Sequence, residues 1–279
     1  MIEKISVGFI GGGNMAEALI RGLLDSNSMT PSDCLVCDIL EERLAYLKNN
    51  YGVKAVTEKA QVIRSSRAII LAVKPQSVDR AMEALSSIWS SGKILISICA
   101  GVPTDYLEGF FPKPPRIIRV MPNTPALVLS GISALCKNST AEEKDLALAE
   151  LIFKAIGETV RVEESHLDAV TGLSGSGPAY VFTVLEGLID AGVKMGLTRP
   201  VSHKLAVQTL WGSSQMVRQM NWPISQLKEM VTSPGGTTIY GLHVMEKAGL
   251  HGILMEAVEA ATKRSQELGA TLKKRSKGK

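Results

Sequence analysis

Short apolar runs alternate with amphipathic stretches through the first part of the chain. Residues 5–10, Ile-Ser-Val-Gly-Phe-Ile, lead into a cluster of glycines, after which Met15, Ala16, Leu19, Ile20 and Leu23 recur at the spacing of one helical stripe. The pattern predicts strand, tight turn, helix. Similar runs at 34–37, 68–73, 94–99, 117–120 and 132–136 are separated by helical or loop stretches. Alternation of this kind predicts a parallel sheet wrapped by helices.

The character changes near residue 165. From there the pattern is helical over 176–195, 200–220, 223–231, 236–247 and 250–269. The expected organisation is therefore two domains, an α/β domain over 1–165 and an all-α domain over 166–279. The stretch 179–193 is apolar around most of its circumference, with Val181, Phe182, Val184, Leu185, Leu188, Ile189 and Val193, which predicts burial on several sides. A domain this small has difficulty covering such a helix alone, so a second subunit is expected to cover it. The stripe Ile253, Leu254, Ala257, Val258, Ala261 and Leu268 predicts another amphipathic helix, bound for a partner subunit or the domain core.

Composition narrows the class. The 279 residues are 45% hydrophobic and 21% charged, and no run reaches the ~18 apolar residues of a membrane helix, so the reading is a folded soluble protein. The net charge of +4 owes everything to Lys273, Lys274, Arg275, Lys277 and Lys279; removing those five leaves −1. A nearly neutral body gives no broad footprint for nucleic acid or membrane, and the tail reads as a frayed, solubilising end. Cys34, Cys37, Cys99 and Cys136 are too few for a disulfide framework and read as reduced, buried thiols in a cytoplasmic protein. Cys34 and Cys37 have redox-motif spacing, but residues three apart on a strand face opposite ways, and no second pair completes a zinc site. The four histidines share no metal-ligand spacing either, so no metal is expected. Ala16-Glu17-Ala18 imitates a signal cleavage site, yet Glu3 cancels Lys4 and glycines interrupt the apolar stretch, so no signal peptide is expected.

The turn after the first strand reads Ile10-Gly11-Gly12-Gly13-Asn14-Met15-Ala16, a Gly-x-Gly-x-x-Ala arrangement. Gly11 permits the tight turn, Gly13 lets backbone approach a pyrophosphate, and Ala16 allows the helix to pack close on the strand. Backbone N–H groups of residues 12–15 are then expected to meet phosphates with the helix dipole behind them. This is the signature of a Rossmann-type, doubly wound, mostly parallel sheet. Roughly 20 residues on, Asp38 stands where a carboxylate accepts from an adenosine ribose 2′-hydroxyl and repels a 2′-phosphate, favouring NADH. Asp38-Ile39-Leu40-Glu41 also has capping-box-like spacing, and both readings stand. Ala72-Val73-Lys74-Pro75, Cys99-Ala100-Gly101 and Met121-Pro122-Asn123-Thr124-Pro125 end later strands at the edge where open α/β sheets bind ligands. They are expected to line the nicotinamide half of the cleft, with the Asn123 amide reading a carboxamide or ribose group.

Two glycine-rich segments each open a helix in the second domain: 173–178, Leu-Ser-Gly-Ser-Gly-Pro, and 232–238, Thr-Ser-Pro-Gly-Gly-Thr-Thr. Exposed N–H groups beside the hydroxyls of Ser233, Thr237 and Thr238 make a cradle suited to a carboxylate. Capping by Ser176 and Ser233 is the plainer reading, but capping does not call for a Gly-Gly pair inside the first turn, where each glycine costs about 1 kcal/mol.

With these motifs in view the sequence resembles the pyrroline-5-carboxylate reductase family. The likeness covers nearly the whole chain and is carried by 8–16, 72–75, 121–125, the run 168–180 and Ser233-Pro234-Gly235-Gly236-Thr237-Thr238, the last two being highly specific. The resemblance implies hydride transfer from NADPH or NADH to the C=N carbon of 1-pyrroline-5-carboxylate, giving L-proline in the last step of proline biosynthesis. It implies that Ser233 and the backbone at Gly236 and Thr237 hold the carboxylate, that Thr238 lies near the ring nitrogen as the catalytic contact, and that Ser176, Thr171 and Glu164 border the pocket. Interlocked helical domains forming a homodimer, and larger assemblies of dimers, are likewise implied. Two positions depart from the family's pattern: Lys59 replaces an asparagine-like ribose contact, and Asp38 replaces the small or basic residues of NADP-preferring members. Cofactor preference therefore stays open. A pyrroline imine is basic enough to carry its own proton near neutral pH, so positioning can do most of the catalytic work.

Two other classes compete. A β-hydroxyacid dehydrogenase shares the domain order and uses a helical lysine, for which Lys194 is the candidate, though the expected run around it is absent. A non-enzymatic, redox-sensing dinucleotide-binding protein needs the first domain but no carboxylate cradle.

Overall fold

The computed structural model describes residues 5–276, with side chains described as far as Leu272. Glu3, Lys4, Lys277 and Lys279, and the side chains of Lys273, Lys274 and Arg275, lie outside that description.

The first part of the chain is an α/β sheet: β1 (Val7–Ile10), α1 (Asn14–Asp25), β2 (Cys34–Cys37), α2 (Glu41–Tyr51), β3 (Lys54–Val56), α3 (Lys59–Ser65), β4 (Ala68–Leu71), α4 (Val78–Ser86), β5 (Ile94–Ser97), α5 (Thr104–Glu108), β6 (Arg116–Met121), β7 (Gly131–Lys137), α6 (Glu143–Lys154) and β8 (Gly157–Arg161). Then come α7 (Leu167–Val170), a π-turn over Thr171–Gly175, α8 (Gly177–Lys194), α9 (Arg199–Met220), α10 (Ile224–Met230), α11 (Thr237–Lys247) and α12 (Leu250–Ser276). The eight strands run in the order β3-β2-β1-β4-β5-β6-β7-β8. All neighbours are parallel except β6 and β7.

The continuous apolar runs exist because both faces of the sheet are covered. Val7 and Phe9 of β1, Ala68 and Ile70 of β4, and Ile94 and Ile96 of β5 pack on one side with α1, α2 and α6. Ile10, Ile69, Leu71 and Leu95 pack on the other with α3, α4 and α5. Period-two alternation thus feeds two cores. The cysteines follow the same rule: Cys34 belongs to the first core and Cys37 to the second, so the pair does not share a face.

Sequence patterning misses β3 and β8, the two edges. Their residues, Lys-Ala-Val and Gly-Glu-Thr-Val-Arg, are short, polar and largely accessible, which is how natural sheets blunt their edges.

The chain divides into two compact units, and the division differs from the expected 165/166 boundary. The first unit runs to Ser176 and is rejoined by the chain from Ala260 onward; the second is Gly177–Glu259. The reason is packing. Leu167 is fully buried against Ala134 and Cys136, Ser265 of α12 donates to Asp168 at 2.6 Å, and Leu272 enters the second core. The helix α12 accordingly continues to Ser276, past the predicted end at 269.

Within the second unit, Tyr180 donates to the Ala257 carbonyl at 3.3 Å. Yet α8 has no buried residue. Phe182 is 64% exposed, Trp211 59% and Tyr240 73%, so the apolar faces of these helices have nothing over them in the single chain.

All four thiols are free and buried. Burial pushes Cys34 and Cys136 up to about 12 and Cys99 up to about 11 from the ordinary 9.0. Above pH 9 the unfolded chain releases these protons while the folded chain retains them, so folding stability falls as pH rises from 9 through 11–12. We expect iodoacetamide at pH 8 to label the three only when urea is added, and urea midpoints to drop above pH 9; rapid labelling of the native protein would contradict this burial.

Candidate functional site

The carboxyl ends of β1, β2, β4 and β5 are stitched level with one another. Gly11 N donates to the Cys37 carbonyl at 2.8 Å, and Ala72 N to the Ile10 carbonyl at 2.8 Å. Gly11 has φ +101°, and a Cβ there would stand 2.4 Å from the Ala72 carbonyl oxygen, so the turn accepts only glycine. Ile10 is buried beneath it and Met15 packs partly into the first core. Gly13 is the N-cap of α1, extended, with no side-chain cap and open space where a Cβ would go. The N–H groups of Asn14, Met15 and Ala16 therefore have no side chain capping them.

Gly12 departs from the expected phosphate cradle. Its N–H donates to Asp38 Oδ2 at 2.6 Å, because a Cβ-less residue here lets the turn settle against Asp38, Val36 and Leu47. The second Asp38 oxygen, Oδ1, accepts from Leu40 N at 2.9 Å. Asp38 is not the cap of α2, whose N-cap is Leu40 with no side-chain bond. It closes a two-residue turn instead. Lys59 is the first residue of α3, two residues after Thr57, whose carbonyl accepts from the Cys37 thiol at 3.4 Å.

One network around this turn is invisible in the sequence. Arg43 of α2 donates through Nε to the Gly12 carbonyl and through its guanidinium to Glu17 of α1. Glu17 also accepts from Tyr46 at 3.0 Å and Tyr51 at 2.8 Å. Burial works to raise the Glu17 carboxyl, but these hydrogen bonds outweigh it and hold the group below its ordinary value. A pairing across 26 residues leaves no trace in local spacing.

The turns after β4 and β5 are tied together by Cys99, whose thiol donates to the Val73 carbonyl at 3.3 Å. Ala72 and Val73 pack partly into opposite cores, Lys74 is exposed, and Pro75 opens a short 3₁₀ turn. Ala100 is exposed and Gly101 is buried against Leu268 and Gly269 of α12. The Asn123 amide, expected to read a ligand, makes two contacts within the fold. Its Nδ2 donates to the Ser174 carbonyl at 3.2 Å and its Oδ1 accepts from Ile132 N at 2.9 Å, which fixes the orientation of the amide.

The residues predicted to hold a substrate fall in both units. In the first, Glu164 accepts from Thr104 N at 2.7 Å and from its hydroxyl, and pairs with Arg119 of β6 at 3.1 Å. Thr171 Oγ1 donates back to the Leu167 carbonyl at 2.8 Å. Ser176 N donates to the Thr171 carbonyl at 2.9 Å, closing a π-turn of the kind that recurs at functional sites. In the second unit Gly236 is the N-cap of α11, with no side-chain cap, and Thr237 and Thr238 are its first two residues. The Gly-Gly pair therefore precedes the helix rather than lying in its first turn: Gly235, at φ +68°, makes the left-handed bend, and Ser233 Oγ fills the space a Gly236 Cβ would need. Ser233 and Thr237 are exposed and Thr238 half-buried. An uncapped helix start with hydroxyls on either side is what an anionic group requires.

Removing Glu164 leaves the Arg119 guanidinium, only 6% exposed, without its counter-charge. Glu164→Ala is expected to cost about 3 kcal/mol of stability in urea unfolding, and a cost under about 1 kcal/mol would show the pair to be inert.

Residues 164–268 match the family model for pyrroline-5-carboxylate reductase dimerisation, and residues 6–101 that for NADP oxidoreductase, coenzyme F420-dependent. A pyrroline-5-carboxylate reductase of Synechocystis is 43% identical over 266 residues, covering 95% of this chain and 99% of the relative. The structure of such a reductase from Coxiella burnetii superposes with TM-score 0.91 at 35% identity, over 95% of this chain and 99% of the other. That of the Plasmodium falciparum pyrroline carboxylate reductase with NADP bound gives 0.87 at 35% identity, over 96% and 100%. With an NAD(P)-type turn after β1, a helical dimerisation domain and whole-length relatives at this identity, the chain belongs to the pyrroline-5-carboxylate reductase family.

Proposed function

We propose that this chain reduces 1-pyrroline-5-carboxylate to L-proline by hydride transfer from NADPH or NADH, the last step of proline biosynthesis. The observation that carries the reading is a pair of glycine-led, uncapped helix starts, α1 and α11, in a chain of this family. The first suits a dinucleotide pyrophosphate and the second a small carboxylate.

The residues present fit a nicotinamide dinucleotide. Gly11 and Gly13 give the close approach, Asn14 and Met15 offer backbone donors, and Asp38 and Lys59 stand at the ribose end of the sheet. Ala72, Val73, Lys74, Pro75, Cys99, Ala100 and Gly101 form the remaining wall. When bound, the reduced nicotinamide supplies the hydride. Ser233 and the N–H groups at the start of α11 orient the substrate carboxylate. The Thr238 hydroxyl partners the ring nitrogen, which takes up the electron pair of the C=N bond as the carbon is reduced. The family resemblance assigns Thr171 and Ser176, on the π-turn, to the substrate as well, and Glu164 acts by fixing that segment to β6 and α5. No strong acid or base is needed, since the substrate nitrogen is protonated in water.

The dimerisation domain implies self-association, and the bare apolar faces of α8 and α9 support a homodimer, with larger assemblies built from dimers. Four free, buried thiols suit a reducing cytoplasm. The dehydrogenase alternative finds its lysine, Lys194, exposed at the end of α8, where it complements the helix dipole.

Purified protein should consume NADH or NADPH only when pyrroline-5-carboxylate is added. Thr238→Val is expected to lower kcat by about tenfold, the worth of one hydrogen bond made to the reacting nitrogen, while Ser233→Ala mainly raises KM. Unchanged turnover in Thr238→Val removes Thr238 from the reaction.

A further inference from the structure

We propose that the turn around Asp38 makes this enzyme discriminate against a phosphorylated adenosine ribose, so that NADH is its reductant. The inference rests on the dinucleotide-site reading above.

Asp38 is fixed at the end of β2 by two main-chain donors, Gly12 N–H and Leu40 N–H. Each of its oxygens retains accepting capacity, which suits two ribose hydroxyls. A 2′-phosphate at this place meets a carboxylate whose position is locked, and the two charges repel. Relief would need a cation or a set of hydroxyls nearby. The residues that follow are Ile39, 81% exposed, and Leu40, 62% exposed, neither of which can donate to phosphate. After them come Glu41 and Glu42 in the first turn of α2, adding negative charge.

The guanidinium that looks available is not. Arg43 is held at the turn by the Gly12 carbonyl and Glu17, with its Cζ over the Tyr46 ring, 4.8 Å from the centroid. Freeing it would strip Glu17, itself fixed by Tyr46 and Tyr51, of its counter-charge. Lys59 opens α3 two residues after Thr57, whose carbonyl accepts from the Cys37 thiol at 3.4 Å, which places a further cation near this end of β2. One lysine set against the three carboxylates of Asp38, Glu41 and Glu42 leaves the local balance negative.

Binding of NADH and of NADPH to the full-length protein, measured by calorimetry without substrate, tests the proposal separately from turnover. The wild type should bind NADH at least tenfold more tightly. The double variant D38S/I39R should bring NADPH to equal or tighter binding, and I39R alone, at an exposed position that leaves the Asp38 turn intact, should gain several-fold for NADPH with NADH within about twofold. Equal or tighter NADPH binding by the wild type overturns the preference while leaving the dinucleotide site standing. No gain for NADPH in I39R overturns the local account of it. If neither dinucleotide binds, the reading of the site falls, and the preference with it.

Discussion

The closeness of β1 to β4 at their carboxyl ends governs everything built above the sheet. Gly11 sits where a single methylene would collide with the Ala72 carbonyl, and that contact sets both the direction in which α1 departs and the height of the turn after β4. Because the strands on either side are bonded to the same turn, the α1 helix start, the Asp38 carboxylate and the Cys99 turn share one rigid ledge. Rigidity there matters more than strength. Hydride chemistry depends on orientation within fractions of an ångström.

The chemistry of the chain is made almost wholly from main-chain groups. Its charged side chains near the ledge are engaged with one another, as Arg43 is with Glu17 and Arg119 with Glu164. On the reading proposed above, what meets ligands is mainly backbone N–H at helix starts and a few hydroxyls, with Asp38 and Lys59 at the ribose end. Such a site suits a substrate that brings its own charge and its own proton. It also explains why the glycines, rather than acids or bases, carry the recognisable signature.

Legibility in the sequence follows burial. Interior strands such as Ala68–Leu71 were readable because both their faces are covered, whereas the edges β3 and β8 carry no apolar signal. The glycine turn and the helical half were equally plain. What local spacing could not disclose were partnerships across long separations: Gly12 with Asp38, Asn123 with Ser174 and Ile132, Glu164 with Thr104 and Arg119. Those partnerships show what holds Gly12, Asn123 and Glu164 in place. The unit boundary was hidden for a similar reason, since amphipathicity tells that α12 has a face to bury but not which core receives it.

The return of α12 to the sheet makes the first unit discontinuous, with Ser265 and Leu272 arriving nearly a hundred residues after the last strand-linked segment. A chain emerging from the ribosome can assemble β1 to β8 early, yet Leu272 reaches the second core only after the whole of Gly177–Glu259 has been made. Closure of that core thus runs against the order of the chain: its last apolar contact comes from a segment separated from the strands by an entire second unit.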